Sequence, residues 1–178
     1  METGNEPSAA APRSGGAAAA VTIRQASAAD ARAVCALIKE HSSLLIVRSL
    51  SNVLAHLDRF LVAIAPDGTL AGALAYELWP EIGDETRLSA ELQSVCVAPR
   101  WRKLGIGRRL VEAQIGRLRG IGVAQAIVLT YAVPFFAGLG FREVDKRTIM
   151  YKLYTGCINC SKHENPFTCP EHAMALQL

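Results

Sequence analysis

Val21-Thr22-Ile23-Arg24 alternates apolar and polar residues with the two-residue period of a half-buried strand. Ser27-Ala28-Ala29-Asp30 then sets a hydroxyl and a carboxylate at capping-box spacing. Ala31, Val34, Cys35 and Ile38 follow at i, i+3, i+4 and i+7, so a helix is predicted there. Cys35 on that stripe reads as a small buried hydrophobe. A loop and a short second helix are expected over 42–58. Pro66-Asp67-Gly68 separates two apolar runs, which predicts a hairpin of strands 60–65 and 69–78. Strand 91–97 ends at Ala98-Pro99, and a helix from about Gly105 to Arg119 carries Val111, Ile115 and Leu118 on one face. A strand at 126–130, a short helix at 134–137 stopped by Gly138 and Gly140, and a last strand pair within 141–153 complete the order βα(α)βββαβαββ. This is an α+β arrangement around one mixed, mostly antiparallel sheet flanked by helices.

With 178 residues the chain suits one core, and 51% apolar residues, 20% charged residues and a net charge of +3 describe an ordinary globular protein. No run of 18 apolar residues exists, so no membrane span is expected. Residues 1–20, METGNEPSAAAPRSGGAAAA, lack the basic start and bulky apolar middle of a secretory signal and read as a disordered leader. A cytoplasmic, reducing location follows as the expectation. The sequence divides into that leader, a domain over 21–154 and a Cys/His-rich tail over 155–178.

The segment with most chemistry is LQSVCVAPRWRKLGIGRRLVE, residues 92–112. A strand runs through the basic loop Arg102-Lys103-Leu104-Gly105-Ile106-Gly107 directly into a helix. Glycines at 105 and 107 let backbone approach a ligand, and the first N–H groups of the helix have no internal acceptor. Those donors and the positive dipole end favour a diphosphate, and Arg100, Arg102, Lys103, Arg108 and Arg109 add cationic charge around it. A P-loop would need a terminal GK[ST], and a Rossmann fingerprint would need glycine where Leu110 stands. No recognition helix or RNA-binding signature accompanies the basic cluster, so nucleic acid is not the expected partner.

Arg102-x-x-Gly105-x-Gly107 after Val97-Ala98-Pro99 resembles the acyl-CoA-binding motif of the GNAT N-acetyltransferase superfamily, and VPFFAGLGF (133–141) resembles its late short helix. The resemblance spans about Val21 to Leu153. It implies the GNAT acyl-CoA N-acyltransferase fold, with pantetheine between strands 91–97 and 126–130. Acetyl-CoA would be the cosubstrate, held at Val95, Val97, Arg102, Lys103, Leu104, Gly105, Ile106, Gly107 and Arg108. Within the superfamily, SSLLIVRSL (42–50), AELQSVCVAP (90–99) and IVLTYAVPFFAGLGF (127–141) are similar to the acetyltransferase domain of N-acetylglutamate synthases, especially short stand-alone forms.

That similarity implies acetylation of the α-amino group of L-glutamate or a related amino acid, as in arginine biosynthesis. Arg48 would meet a substrate carboxylate, for which a planar guanidinium fork is suited. Glu91 would take the proton of the attacking amine, through water, and a backbone N–H near Val97 would stabilise the developing oxyanion. Where many superfamily members carry a tyrosine that protonates the leaving thiolate, this chain has Phe136, and Tyr131 is the substitute candidate. Long synthases carry an arginine just after the strand matching 127–130, where this chain has Tyr131. Other small-molecule amines such as polyamines or antibiotics, a protein N-terminus, or a non-catalytic acyl-CoA sensor are the competing readings, and a homodimer is compatible with each. Cys96, on the face opposite Val95 and Val97, reads as a core thiol rather than a nucleophile.

The tail, CINCSKHENPFTCPEHAM (157–174), holds three of the five cysteines and two of the four histidines. Cys157, Cys160, Cys169 and His172 form two close pairs with the spacing of a closed structural zinc site, His163 being an alternative ligand. Free thiols or a redox CxxC are the other readings. A zinc clip would follow the last strand and hold it, or a neighbouring subunit, in place.

Overall fold

The computed structural model describes residues 20–81, 84–158 and 160–178, so the expected leader, apart from Ala20, lies outside the described residues. The elements are β1 (Thr22–Gln25), α1 (Ala31–Glu40), α2 (Leu50–Ala55), β2 (Phe60–Ile64), β3 (Leu70–Glu81), β4 (Asp84–Val97), α3 (Ile106–Gly120), β5 (Gln125–Thr130), α4 (Val133–Ala137), β6 (Arg142–Glu143), a short helix α5 (Met150–Lys152) running into a π-helical turn, and β7 (His172–Gln177). Among the described residues no helix is long and apolar enough to cross a membrane.

The local signals act as their chemistry dictates. Asp30 accepts hydrogen bonds from the Ser27 backbone and hydroxyl at 2.7 and 2.8 Å and pairs with Arg24, so the predicted N-terminal cap precedes α1. Ala31, Val34, Leu37 and Ile38 are buried beneath α1, while Cys35 is half-buried at the edge of the stripe. Ser49 caps α2 by accepting from Asn52 N–H at 3.1 Å.

Among the described residues seven strands form one sheet in the order β1-β2-β3-β4-β5-β7-β6. All neighbours are antiparallel except β4 and β5, which pair in parallel only at Ser89–Glu91 with Gln125–Ile127. Helix α3 covers one face, burying Ile106, Leu110, Val111, Ile115 and Leu118 against β1 to β4. Helices α1 and α2 cover the other, around Phe60, Val62, Ala73 and Cys96.

Strand β4 carries a bulge. Its register against β3 shifts between Ala73 and Ala75, and Ser94 takes a φ of 52°, a left-handed value uncommon outside glycine. The bulge breaks strict alternation. Ala90, Leu92, Val95 and Val97 therefore all face α3, whereas Cys96 joins the α1 side.

Two expectations are corrected at the C-terminus. The last strand pair does not lie within 141–153: after the two-residue β6 the chain turns helical, with Asp145 Oδ1 accepting from Arg147 N–H at 2.8 Å. Ile149, Tyr151 and Leu153, whose spacing looks like a strand, are buried instead from helical turns against Ile127 and Ala173. The missing strand is His-Ala-Met-Ala-Leu-Gln at 172–177, inside the supposed tail, and it pairs residue for residue with all of β5. It contains no β-branched residue and so gives little β signal, and only the open edge of β5 selects this conformation. Met174 is 1% exposed at the centre of that strand. Met174→Ala is expected to cost about 2–5 kcal/mol, read as a lower denaturant midpoint at unchanged slope.

Candidate active site

Beyond Glu91 the strands β4 and β5 part, and no ladder bonds join 92–97 to 128–130. Ala98 N–H donates to Ala71 O at 2.9 Å, so the N–H of Val97, on extended backbone, points the opposite way, into the gap left by β5. A cleft of about 930 Å³ opens there, lined by β4 from Glu91 to Val97, by β5 from Val128 to Thr130, by the loop after α1 and by part of the C-terminal segment. The exposed apolar side chains Leu44, Ile46 and Val47 stand on its rim.

At one end lies the glycine loop. Gly105 has a φ of 75° and precedes α3, and the first helical bond runs from Arg109 N–H to Gly105 O at 3.0 Å. The preceding amides thus have no helical acceptor. A Cβ on Gly107 would stand 3.4 Å from the Phe135 ring, so its bare backbone lets α4 close against the loop. Ile106 is a core residue, 1% exposed.

The five cations expected around the loop are differently employed. Arg100 turns to Asp67 and Thr69, Arg108 to Gly138 O at 2.8 Å and Glu112, and Arg109 to Val21 O at 2.8 Å. Arg102 meets His41 Nε2 at 2.7 Å and Val97 O, while His41 Nδ1 faces Leu37 O at 2.8 Å. Arg102 therefore ties the loop to the end of α1, and Lys103 stands exposed at a φ of 61°.

The other end is a charged wall. Glu91 is 5% exposed and lies 3.0 Å from Lys152 Nζ, itself 6% exposed. The Glu91 carboxylate also accepts from Trp79 Nε1 at 3.3 Å and from Gln93, and the Lys152 ammonium sits 5.2 Å over the Trp79 ring. Burial alone would lower the Lys152 pKa, but Glu91 and the neighbouring Cys157 outweigh it and hold the ammonium above its ordinary value. Arg48 donates to Ser94 Oγ at 3.0 Å, to Asn52 Oδ1 at 2.8 Å and to Gln93, and its guanidinium lies 5.7 Å over Phe60. Burial lowers its pKa, countered by Glu77 and Glu91. The structure thus brings Arg48 and Glu91 to one wall, with Gln93 bonded to both.

Tyr131, 42% exposed at the end of β5, places its hydroxyl 3.1 Å from His163 Nε2. Burial, with Glu171, Cys169 and Cys160 adding to it, raises its phenol pKa. Phe136 is buried edge-on against Phe135 and Phe141 and offers no proton. Cys96 is 4% exposed, and burial pushes its thiol up to about 12, in keeping with a core thiol.

The zinc expectation does not fit. Among the described residues no three side chains of His, Cys, Asp or Glu are placed to hold a metal together. His172 is drawn into β7, where Nδ1 meets Glu143 at 2.7 Å, and Cys169 Sγ faces Glu171. Cys157 and Cys160 line the cleft instead. The sequence reading missed Lys152, Gln93 and His163 as cleft residues. Lys152 sits in a segment that mimics a strand, and no spacing signals a lysine that meets Glu91 only through the fold.

A sheet splayed at a bulge, with a glycine loop and helix at one end of the gap, matches known proteins. Residues 29–141 match the model of the acetyltransferase (GNAT) family. The chain belongs to that family and is an N-acetyltransferase. It is 32% identical over 163 residues to an uncharacterized N-acetyltransferase of Chlorobaculum tepidum, covering 90% of this chain and 99% of that one. Over 136 residues it is 26% identical to an amino-acid acetyltransferase of Mycobacterium tuberculosis, 74% of each chain being covered. Among solved structures, an N-acetylglutamate synthase of Neisseria gonorrhoeae complexed with coenzyme A and N-acetyl-glutamate superposes with a TM-score of 0.68 at 25% identity, over 89% of this chain and 35% of that one. A Mycobacterium tuberculosis protein in complex with CoA shares the fold, with a TM-score of 0.71 at 23% identity over 88% of this chain and 99% of that one.

The buried pair makes a prediction. Lys152→Met leaves a dry, uncompensated Glu91 and is expected to cost about 3–5 kcal/mol in chemical denaturation, with adding Glu91→Gln recovering part of it. Because the folded lysine pKa is raised, the pair's contribution is complete below the ordinary lysine pKa and is lost as pH rises through the folded value. The unfolding midpoint of Lys152→Met should therefore fall less steeply than wild type at alkaline pH.

Proposed function

We propose that the protein transfers the acetyl group of acetyl-CoA to the α-amino group of L-glutamate or a closely related amino acid. The observation that carries this reading is the placement of Arg48 and Glu91 on one wall of the cleft, cation and carboxylate together, in the same cleft that Val97 lines. A zwitterionic amino acid needs this pairing, its carboxylate toward a cation and its ammonium toward an acid. Three of the five guanidinium N–H groups of Arg48 are engaged by Ser94, Asn52 and Gln93, which aim the side chain and leave two for a carboxylate. Lys152 supplies a second cation within the same cleft, where the sequence had offered only Tyr131. The amino-acid acetyltransferase and N-acetylglutamate synthase relatives support this acceptor class.

In this reading the donor's diphosphate lies at the amides of residues 104–108 with Arg102 and Lys103 beside them, and its thioester lies in the gap along Val95 to Val97. The neutral amine attacks the thioester carbon while Val97 N–H holds the oxygen that becomes negative. Glu91 receives the amine proton through water. Trp79, Gln93 and Lys152 hold its carboxylate still, so little reorganisation is required when the proton arrives. The C–S bond then breaks and CoA thiolate leaves, taking a proton from solvent or from Tyr131, whose phenol is protonated at neutral pH.

Release of free CoA from acetyl-CoA, followed with a panel of amino acids and amines, tests the assignment. Glutamate is expected to drive release. Arg48→Ala should raise the glutamate KM by about 10–100-fold, the worth of one charged hydrogen-bonding contact. Glu91→Gln should lower kcat by about 100-fold or more. Release with a different amine alone would move the acceptor assignment, and acetyl-CoA binding without release for any amine would indicate a sensor.

A further inference from the structure

The Cys-rich segment has left the role of metal clip, yet it occupies a place no surface tail would. Cys160, Lys162, His163 and Glu171 line the same cleft as Arg48 and Glu91. The segment is tied to both rims. Lys162 Nζ donates to Ser42 O at 2.8 Å, on the loop that leads to Arg48, and His163 Nε2 meets the Tyr131 hydroxyl at 3.1 Å, at the end of β5. From behind, Lys146 Nζ donates to Pro166 O at 3.1 Å and to Cys169 O. Short turns stiffen it, with Phe167 N–H bonded to Asn165 Oδ1 at 2.9 Å and Cys169 N–H to Asn165 O at 3.0 Å, and β7 then locks its far end into the sheet.

We infer that residues 160–171 form a strap across the acceptor half of the cleft and restrict the acceptor to a small free amine, with Lys162 and His163 as the positioning residues that brace it. The inference rests on the acceptor half being the one that holds Arg48 and Glu91, as proposed above. A polypeptide offering its N-terminal amine must continue away from that amine as a chain, and needs an open channel on the acceptor side. A strap bonded to Ser42 on one rim and Tyr131 on the other crosses that exit. A free amino acid ends within the cleft and meets no such obstacle. Neither brace touches the glycine loop, so donor binding is independent of them.

The test compares a free amino acid acceptor with a hexapeptide carrying the same residue at its N-terminus, both with acetyl-CoA. For the wild-type protein kcat/KM for the peptide is expected to be lower by about 100-fold or more, the scale on which a site rejects a molecule it cannot seat. In the Lys162→Ala/His163→Ala variant the free acceptor's KM should rise about tenfold, the worth of one lost contact, and the preference for the free amine over the peptide should narrow. The KM for acetyl-CoA should stay within about twofold in that variant. Lys162→Arg, which keeps a donor for Ser42 O, should restore most of the acceptor KM relative to Lys162→Ala. Wild-type acetylation of the peptide as efficient as that of the free amino acid overturns the strap, as does a folded double variant with unchanged acceptor KM and preference. Acetylation of some other free amine but of no peptide overturns the glutamate assignment and supports the strap, and inertness toward every amine overturns both.

Discussion

Three residue pairs, Ser89 to Glu91 against Gln125 to Ile127, join the two parts of this sheet, and the cleft depends on their ending there. Parallel pairing stops because β4 bulges at Ser94 and turns its backbone away, while β5 finds a complete partner on its other edge in β7. A sheet opened in this way leaves main-chain donors unpaired at its centre, which a folded protein tolerates where something is to bind. The bulge also decides facing: with strict alternation Glu91 would share a side with Val95 and Val97, whereas the extra residue separates it from them.

The charged wall follows from that opening. Burying Glu91 alone would be costly, and its ion pair with Lys152, helped by Trp79 and Gln93, makes an ionised carboxylate tenable in a nearly dry place. Such a pair adds less to stability than an apolar replacement of like volume could. In the proposed mechanism the carboxylate takes up the amine proton, which gives a reason for holding it there. Gln93 links this pair to Arg48, so the carboxylate and the guanidinium are held in one hydrogen-bonded frame rather than as two independent surface charges.

The C-terminal segment shows how far spacing can mislead. Two close pairs of Cys and His are what a tetrahedral metal site requires, and the pattern contains no information about what each residue faces. His172 belongs to a strand because β5 has an unpaired edge, and its ring is then directed to Glu143, away from Cys157 and Cys160. Once β7 is in the sheet, the residues before it are obliged to pass the mouth of the cleft. A segment that composition marks as separate is thereby part of the same cleft wall as Arg48 and Glu91.

By itself the sequence determined the elements whose signals are local: the cap at Ser27 and Asp30, the hairpin at Pro66 to Gly68, the glycine loop with its helix, and the apolar stripes of α1 and α3. These depend on neighbours within a few residues, where capping, backbone freedom and periodicity act. Sequence resemblance also pointed to Arg48, Glu91 and the donor loop. Only the tertiary structure decided that Lys152 meets Glu91, that His163 meets Tyr131, that the last strand comes after the cysteines and that Arg102 turns to His41. Each of these joins residues far apart in the chain through burial and register, and neither quantity exists until the sheet has closed around them.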